Sequence, residues 1–326
     1  MVIVMHSPIP NENAVLHGPF LTLTSYFTAP CVPLFFMVSG ALLLPCKDGE
    51  TAFGYIKKRI GKILGPTLCF SFFYIILNIN EIMGEGKTLV LILFSIPFSA
   101  QGHGILWFMY TLIGLYLLVP IISPWLRNAS KRDIEMYLVL WFVTLLYPYI
   151  GLILKVNASD TGLLYYFTGY AGYFLLGYYM SRYSLSLKWL LLVAVFMLPL
   201  PGINKILEWN LDFFSAFWYL SAPVTIITTA WFASIKMLVE KKQVKKRFSK
   251  LLIMVSNLSF GIYLIHIFIM RTLLWNWSLI QNIDNYYLQT AVLIVLTFIG
   301  SLITCLIISK IPYSQYIIGY TARNKK

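Results

Sequence analysis

Long apolar runs separated by short polar connections repeat along the whole chain. Each long run approaches or exceeds the roughly 20 residues that a helix needs to cross the hydrocarbon core of a bilayer, and none shows the short alternating segments of a membrane β-barrel. The pattern therefore predicts an all-α polytopic membrane protein. The runs long enough to span are 21–45, 63–79, 105–126, 135–154, 163–181, 189–206, 214–236, 252–274 and 287–309.

Two further apolar runs are too short to span. The run 1–6 ends at His6 and is stopped by Pro8 and Pro10, so it resembles the last turns of a membrane helix whose remainder, roughly 15 apolar residues, is expected upstream of Met1. The run 89–98 is expected to be a re-entrant or interfacial piece. The prediction is about ten transmembrane helices, nine complete plus a truncated first helix, in a single membrane domain over 1–326.

Composition agrees with this prediction, because 59% of the residues are hydrophobic, only 11% are charged and the mean hydropathy is +0.76. Soluble domains carry about 25% charged residues. The net charge of +13 would raise the question of nucleic acid in a soluble protein, but membrane topology explains it better. No nucleic-acid partner is expected.

The basic residues are distributed unequally between alternate connections. With the 46–62 connection in the cytoplasm, 21 of the 25 Lys and Arg residues lie inside. By the positive-inside rule, this bias predicts a cytoplasmic C-terminus and places His6 near the outer leaflet. The four basic residues left outside are Lys87, Lys155, Lys205 and Arg271.

Polar and small residues inside two apolar runs mark candidate regions, since polar groups in a membrane usually face a partner or a cavity. In 21–45, Pro30 and Pro33 predict an interrupted helix, and Ser39 either packs tightly or contacts substrate. In 252–274, Tyr263 and His266 share one helical face with Ser259, which favours a lined cavity over a packed structural histidine.

Aromatic residues mark two more regions. Trp107, Phe108, Tyr110 and Tyr116 follow a Gly-rich stretch, and an interfacial aromatic belt is the alternative to a binding role. Aromatic rings around an outer loop suit carbohydrate, although belt anchoring explains most of them. The members of this second group are Trp209, Phe213, Phe217 and Trp218, beside the acidic Glu208 and Asp212.

Five stretches occur in a characteristic order: His6-Ser7, "PLFFMVSGALLL" at 33–44, "YIKKRIGKILGP" at 55–66, "LWFMYTLIGLYLLVP" at 106–120 and "SFGIYLIH" at 259–266. In order and spacing they resemble the integral-membrane acyltransferases of the acyltransferase-3 type. These include O-acetyltransferases of bacterial cell-envelope glycans.

The resemblance implies transfer of an acyl group, most often acetyl, from cytoplasmic acyl-CoA to a hydroxyl of a glycan or lipid-linked saccharide outside the bacterial cytoplasmic membrane. Acetyl-CoA is then a substrate, and no bound cofactor is implied. The family pattern points to His6 as the catalytic residue and supplies an arginine one helix length earlier, a position upstream of Met1.

The chemistry of acyl transfer assigns further roles. A histidine titrates near neutral pH and suits a general base. Arg59, Lys58 and Lys62 fit the phosphates of CoA, although topology alone also explains basic residues there. The basic run 241–247 is expected to meet anionic lipid. The expected substrate contacts are Ser39, Trp107, Tyr110, Tyr263 and His266.

Three alternatives to catalysis stay open. The chain could be a component of polysaccharide export, but it lacks an inverted repeat and has few intramembrane charges. It could be a non-catalytic family member. It could bind haem or a metal through His6 and His266, but no single helix carries a histidine pair at ligand spacing.

Overall fold

The computed structural model describes residues 1–9, 18–79, 88–98, 106–156, 162–241 and 246–322, which form helices and no strand. The helices are α1 (Val2–His6), α2 (Gly18–Thr28), α3 (Cys31–Leu43), α4 (Ala52–Leu77), α5 (Leu89–Ser95), α6 (Trp107–Asn128), α7 (Lys131–Thr144), α8 (Tyr147–Leu154), α9 (Ala171–Arg182), α10 (Leu187–Met197), α11 (Leu200–Ile206), α12 (Phe213–Ala216), α13 (Ala222–Lys241), α14 (Lys246–Ile267), α15 (Ser278–Gln281), α16 (Tyr286–Ser309) and α17 (Gln315–Ile318). A 3₁₀ turn covers Tyr165–Phe167, and a π-helix, Phe268–Leu274, continues α14.

Seven helical stretches of the described chain are long and apolar enough to cross a membrane, or eight if the bent pair α7–α8 is one span. The all-α membrane fold is therefore confirmed. The ten spans, the cytoplasmic C-terminus and the single domain stay predictions.

The predicted spans differ from the structure where the backbone breaks. Within 163–181 only α9 is a continuous α-helix, because Gly169 adopts a left-handed φ of 100° just before it. Within 135–154, α7 and α8 meet at 53°, with Pro148 in the first turn of α8. The predicted interruption at Pro30 is confirmed by the break between α2 and α3, and the predicted short run at 89–98 contains only the short helix α5.

The chain divides into two compact units. The first comprises Met1–Met5, Pro10–Gly49 and Leu118–Val244, and the second comprises His6–Ile9, Glu50–Leu117 and Lys245–Lys326.

In the first unit, α3 and α9 pack backbone against backbone. A Cβ added at Gly40 would lie 1.9 Å from the Phe174 carbonyl oxygen, and one added at Gly177 would lie 1.9 Å from the Met37 carbonyl oxygen. Small residues allow this close approach between helices in a membrane. Eight of the twelve residues of α9 are buried, so α9 is a core helix of this unit.

In the second unit, α14 packs against α16, and a buried tyrosine ties α4 to α14. The Tyr74 hydroxyl donates a 2.8 Å hydrogen bond to the Leu264 carbonyl oxygen. This bond fixes the turn of α14 that carries His266, two residues further on. The backbone that carries the buried His266 side chain is thereby tied to α4.

Candidate functional site

Two histidines from opposite ends of the chain meet in the second unit. His6 is the last residue of α1, and His266 lies in the last turn of α14. Their imidazole ring centroids are 5.6 Å apart, with the ring planes tilted by 41°. The sequence marked each histidine separately, and the structure brings the two together.

His266 is fully buried, and its hydrogen bonds determine which ring nitrogen carries hydrogen. Its Nδ1 lies 2.5 Å from the Tyr263 carbonyl oxygen. A carbonyl oxygen only accepts hydrogen bonds, so Nδ1 is the donor and Nε2 keeps a lone pair. This buried Nε2 has no hydrogen-bond partner among the described residues, which leaves it available to an incoming N–H or O–H group.

Aromatic rings close one side of the histidine pair. The Tyr263 ring lies 5.8 Å from the His266 ring, and the Phe108 ring meets Tyr263 edge-on at 5.2 Å. Trp107 lies beside Phe108, with ring centroids 6.4 Å apart. Phe108, which the sequence assigned only to the aromatic cluster, therefore contacts Tyr263 from α6.

Tyr110 supports the fold around this region. Its hydroxyl donates a 2.6 Å hydrogen bond to the Ile96 carbonyl oxygen. That bond anchors the backbone directly after α5, where Ile96 packs with Ile92 of α5 against Ile75 of α4. Because the hydroxyl proton is already donated, the predicted substrate contact of Tyr110 is left to its ring and to the hydroxyl oxygen as a hydrogen-bond acceptor.

The structure does not bury Ser259 with His266, although the two lie seven residues apart on one face of α14. Ser259 is exposed, and its hydroxyl donates to the Ser256 carbonyl oxygen at 2.8 Å. The buried face of α14 instead passes through Leu258 and Ile262 before it reaches His266. Ser39 is buried in α3 and belongs to the first unit.

A cation that sequence reasoning placed only in an outer connection belongs to this site. Arg271 interacts electrostatically with both His6 and His266, and its guanidinium lies 5.3 Å from the Trp275 ring centroid. Arg271 sits in the π-helix, a rare element that is frequent at functional sites. The sequence did contain a signal, because Arg271 is the only charged residue in 252–274.

The predicted donor residues lie in the first three turns of α4, which begins at the N-cap Thr51. Lys58 and Lys62 are exposed, and Lys58 Nζ lies 3.7 Å from a Glu50 carboxylate oxygen. Arg59 is half-buried and forms no ion pair with any described residue. Most of the basic run 241–247 lies outside the described residues.

The remaining alternative for the histidine pair was a metal site. No group of three His, Cys, Asp or Glu side chains that could hold a metal ion occurs in the described part of the chain.

The chain was also compared with known proteins. A family model of the acyltransferase-3 type, described as an acyltransferase domain, matches residues 1–310. Neither the curated proteins nor the solved structures contain a match to the chain.

Proposed function

The chain belongs to the acyltransferase-3 family, and on that premise we propose that it transfers an acyl group, with acetyl as the first candidate, from acyl-CoA to a hydroxyl of a glycan or glycolipid. The donor is cytoplasmic, the acceptor lies outside and the enzyme sits in the bacterial cytoplasmic membrane. One observation carries the proposal: a His6–His266 pair, with rings 5.6 Å apart, inside an apolar helical protein.

His6 is the general base of the proposed reaction. It removes the proton of the acceptor hydroxyl while the hydroxyl oxygen attacks the thioester carbonyl carbon. The tetrahedral intermediate then collapses, the carbon–sulfur bond breaks, and CoA leaves as a thiolate. The His6 imidazolium returns its proton to that thiolate, so the enzyme ends the cycle unchanged.

His266 is proposed as a positioning residue for His6. Its Nδ1 is held by the Tyr263 carbonyl, so its buried Nε2 is a fixed hydrogen-bond acceptor. An N–H of the neighbouring imidazole suits this acceptor and leaves the other nitrogen of His6 to face the hydroxyl. The same logic orients the base in catalytic triads, where a third group holds the imidazole.

Arg271 is proposed to stabilise the developing oxyanion. Its positive charge already acts on both imidazoles. A cation placed where negative charge develops lowers the barrier most in a water-poor site. Tyr263 and Phe108 supply the apolar wall that keeps the site poor in water.

Arg59 is the proposed main contact to the CoA phosphates, with Lys58 and Lys62 as supporting charges. An arginine grips a phosphate with two parallel hydrogen bonds, whereas a lysine acts as a point charge. Arg59 has no ion pair to break among the described residues, while Lys58 is shared with Glu50.

The test is acetyl transfer in membranes that contain labelled acetyl-CoA and equal amounts of each protein. His6→Gln should lower turnover at least 100-fold, within the 10²–10⁴ range of general-base catalysis. His266→Gln should lower kcat while the KM for acetyl-CoA stays unchanged, because a positioning residue does not contact the donor. Ser259→Ala, at an exposed position of α14, is the matched control and should behave as the wild type.

The proposal is wrong if His6→Gln retains more than half of the wild-type turnover at equal protein level. A parallel rise in KM with His266→Gln would move His266 from positioning to donor binding.

A further inference from the structure

The first unit contains a cavity of about 510 Å³, a size typical of small-molecule binding sites. Three segments wall it: the corner between α7 and α8, the turn at 165–168 and the loop at 209–215. The residues that give it its chemistry are Tyr147, Tyr165, Trp209, Asn210, Asp212 and Ser215.

The walls combine aromatic rings with a small number of polar groups. Tyrosine and tryptophan present an apolar face with a polar edge, which matches the apolar faces and hydroxyl rim of a sugar ring. The Asp212 carboxylate accepts hydrogen bonds from hydroxyls, and the Asn210 amide both donates and accepts. None of the described lining residues is Lys or Arg, so the cavity does not favour a phosphate group.

The loop that carries Trp209 and Asp212 is held in one conformation. The side chain of Asn204 clamps Leu211 from both directions, through hydrogen bonds of 3.1 Å to its N–H and 3.1 Å to its carbonyl oxygen. Asp212 accepts hydrogen bonds from both the backbone N–H and the hydroxyl of Ser215, each at 2.8 Å. These bonds lower the pKa of the Asp212 carboxyl, so it stays ionised at neutral pH.

The same loop carries unfavourable backbone conformations. Glu208 has a φ of 51° and Asn210 a φ of 56°. Left-handed backbone is uncommon outside glycine, and such residues cluster at binding and active sites. The loop therefore combines side-chain hydrogen bonds with two left-handed residues.

We propose that this cavity is a saccharide-binding subsite for the acyl acceptor, in which Trp209 and Tyr165 contact the faces of a sugar ring and Asp212 and Asn210 hold its hydroxyls. This inference rests on the proposed function, which supplies the glycan acceptor. The charge distribution of the sequence predicts that the connections after α8 and after α11 are on the outer side, where that acceptor is found.

The test is sugar binding to the purified full chain in lipid nanodiscs, without acyl-CoA. The probe is the pool of oligosaccharides released by mild acid hydrolysis from the envelope of the source cells, and calorimetry measures binding. Tyr165→Ala, Trp209→Ala and Asp212→Asn should each weaken binding at least tenfold. Tyr166→Ala is the matched control, because this neighbouring ring is 92% exposed and is not part of the cavity wall.

In the binding assay, three outcomes overturn the proposal: no saturable sugar binding by the wild type, equal loss with Tyr165→Ala and Tyr166→Ala, or tighter binding of inorganic phosphate than of the sugar pool. The transfer assay separates this failure from that of the proposed function. Sugar binding without any His6-dependent transfer would leave the cavity proposal intact and overturn the transfer proposal. If Trp209→Ala transfers acyl groups as fast as the wild type at limiting acceptor, the cavity proposal is overturned and the transfer proposal stays intact.

Discussion

In the first unit, α3 and α9 meet backbone to backbone through Gly40 and Gly177, whereas in the second unit α14 and α16 carry buried polar side chains that have no hydrogen-bond partner among the described residues. Near the α3–α9 pair, the buried Tyr173 hydroxyl donates to the Tyr219 carbonyl oxygen at 2.6 Å and lies 2.7 Å from the Thr225 hydroxyl. On α16, the buried hydroxyls of Thr290, Thr297 and Ser301 have no hydrogen-bond partner among the described residues.

The difference separates scaffold from site. Close backbone contact and satisfied hydroxyls stabilise the first pair of helices in one arrangement. A buried hydroxyl without a partner costs about 1–3 kcal/mol, so a row of them is expected where function rather than stability determines the residues. These hydroxyls occur in the same unit as His266, whose buried Nε2 also has no hydrogen-bond partner among the described residues.

The largest effect is expected from a larger side chain at the α3–α9 contact, which tests whether this close contact is required for folding. Gly177→Val should abolish the folded protein, because its side chain would overlap the Met37 backbone, which cannot move without separating the helices. Size-exclusion chromatography of the detergent extract measures this loss. Gly114→Val is the control, since a Cβ at Gly114 meets nothing within 4 Å. A normal elution profile for Gly177→Val would show that the close contact is not required.

Substitutions in the second unit should instead change activity while the protein stays folded. Arg59→Ala should raise the KM for acetyl-CoA at least tenfold at unchanged kcat, because a lost charge-assisted hydrogen bond costs about 1.5–3 kcal/mol. Steady-state kinetics with membranes measures this change, and Lys57→Ala, an exposed neighbour, is the control. Equal effects of the two substitutions would mean that these charges serve topology alone.

The smallest expected effect is a difference in stability between variants of two buried threonines, Thr225 and Thr297. Thr225→Val removes a hydroxyl that bonds Tyr173 and the Ser221 carbonyl, and it should lower stability by about 1 kcal/mol. Thr297→Val removes an unpartnered hydroxyl and should leave the thermal midpoint unchanged or raise it. The measurement is the thermal midpoint of unfolding of both variants in the same detergent. Equal destabilisation would show that the two helix pairs are held alike.

The hydrophobic pattern predicted the helical class and the break at Pro30, because both depend on local properties of the chain. It could not predict that α9 is a short core helix, since the left-handed Gly169 and the contact with α3 are features of tertiary structure. Periodicity placed Ser259 and His266 on one face of α14, but it could not predict that this face is exposed at Ser259 and buried at His266, because burial depends on the neighbouring helices.

The candidate site was partly predictable for a similar reason. His6 and His266 stood out as polar groups in apolar runs, but their proximity required the fold. Arg271 was counted as a topological charge, although a lone cation within a span is itself a functional signal. The cavity around Trp209 combines three distant segments, so the sequence showed only its aromatic loop.

The π-helix at Phe268–Leu274 has a consequence for insertions and deletions. A π turn holds one residue more than an α turn, as the hydrogen bond from the Trp275 N–H to the Met270 carbonyl oxygen shows. Deleting one residue there would restore an α turn and leave the later side chains on nearly the same faces, because five residues of a π turn and four of an α turn each close about one turn. His266 and the residues beyond the deletion would keep their faces, and only the side chains of this turn, Arg271 among them, would be displaced. Chain length at this one turn therefore determines where Arg271 lies relative to the imidazole pair, while the outer end of the helix is indifferent to it.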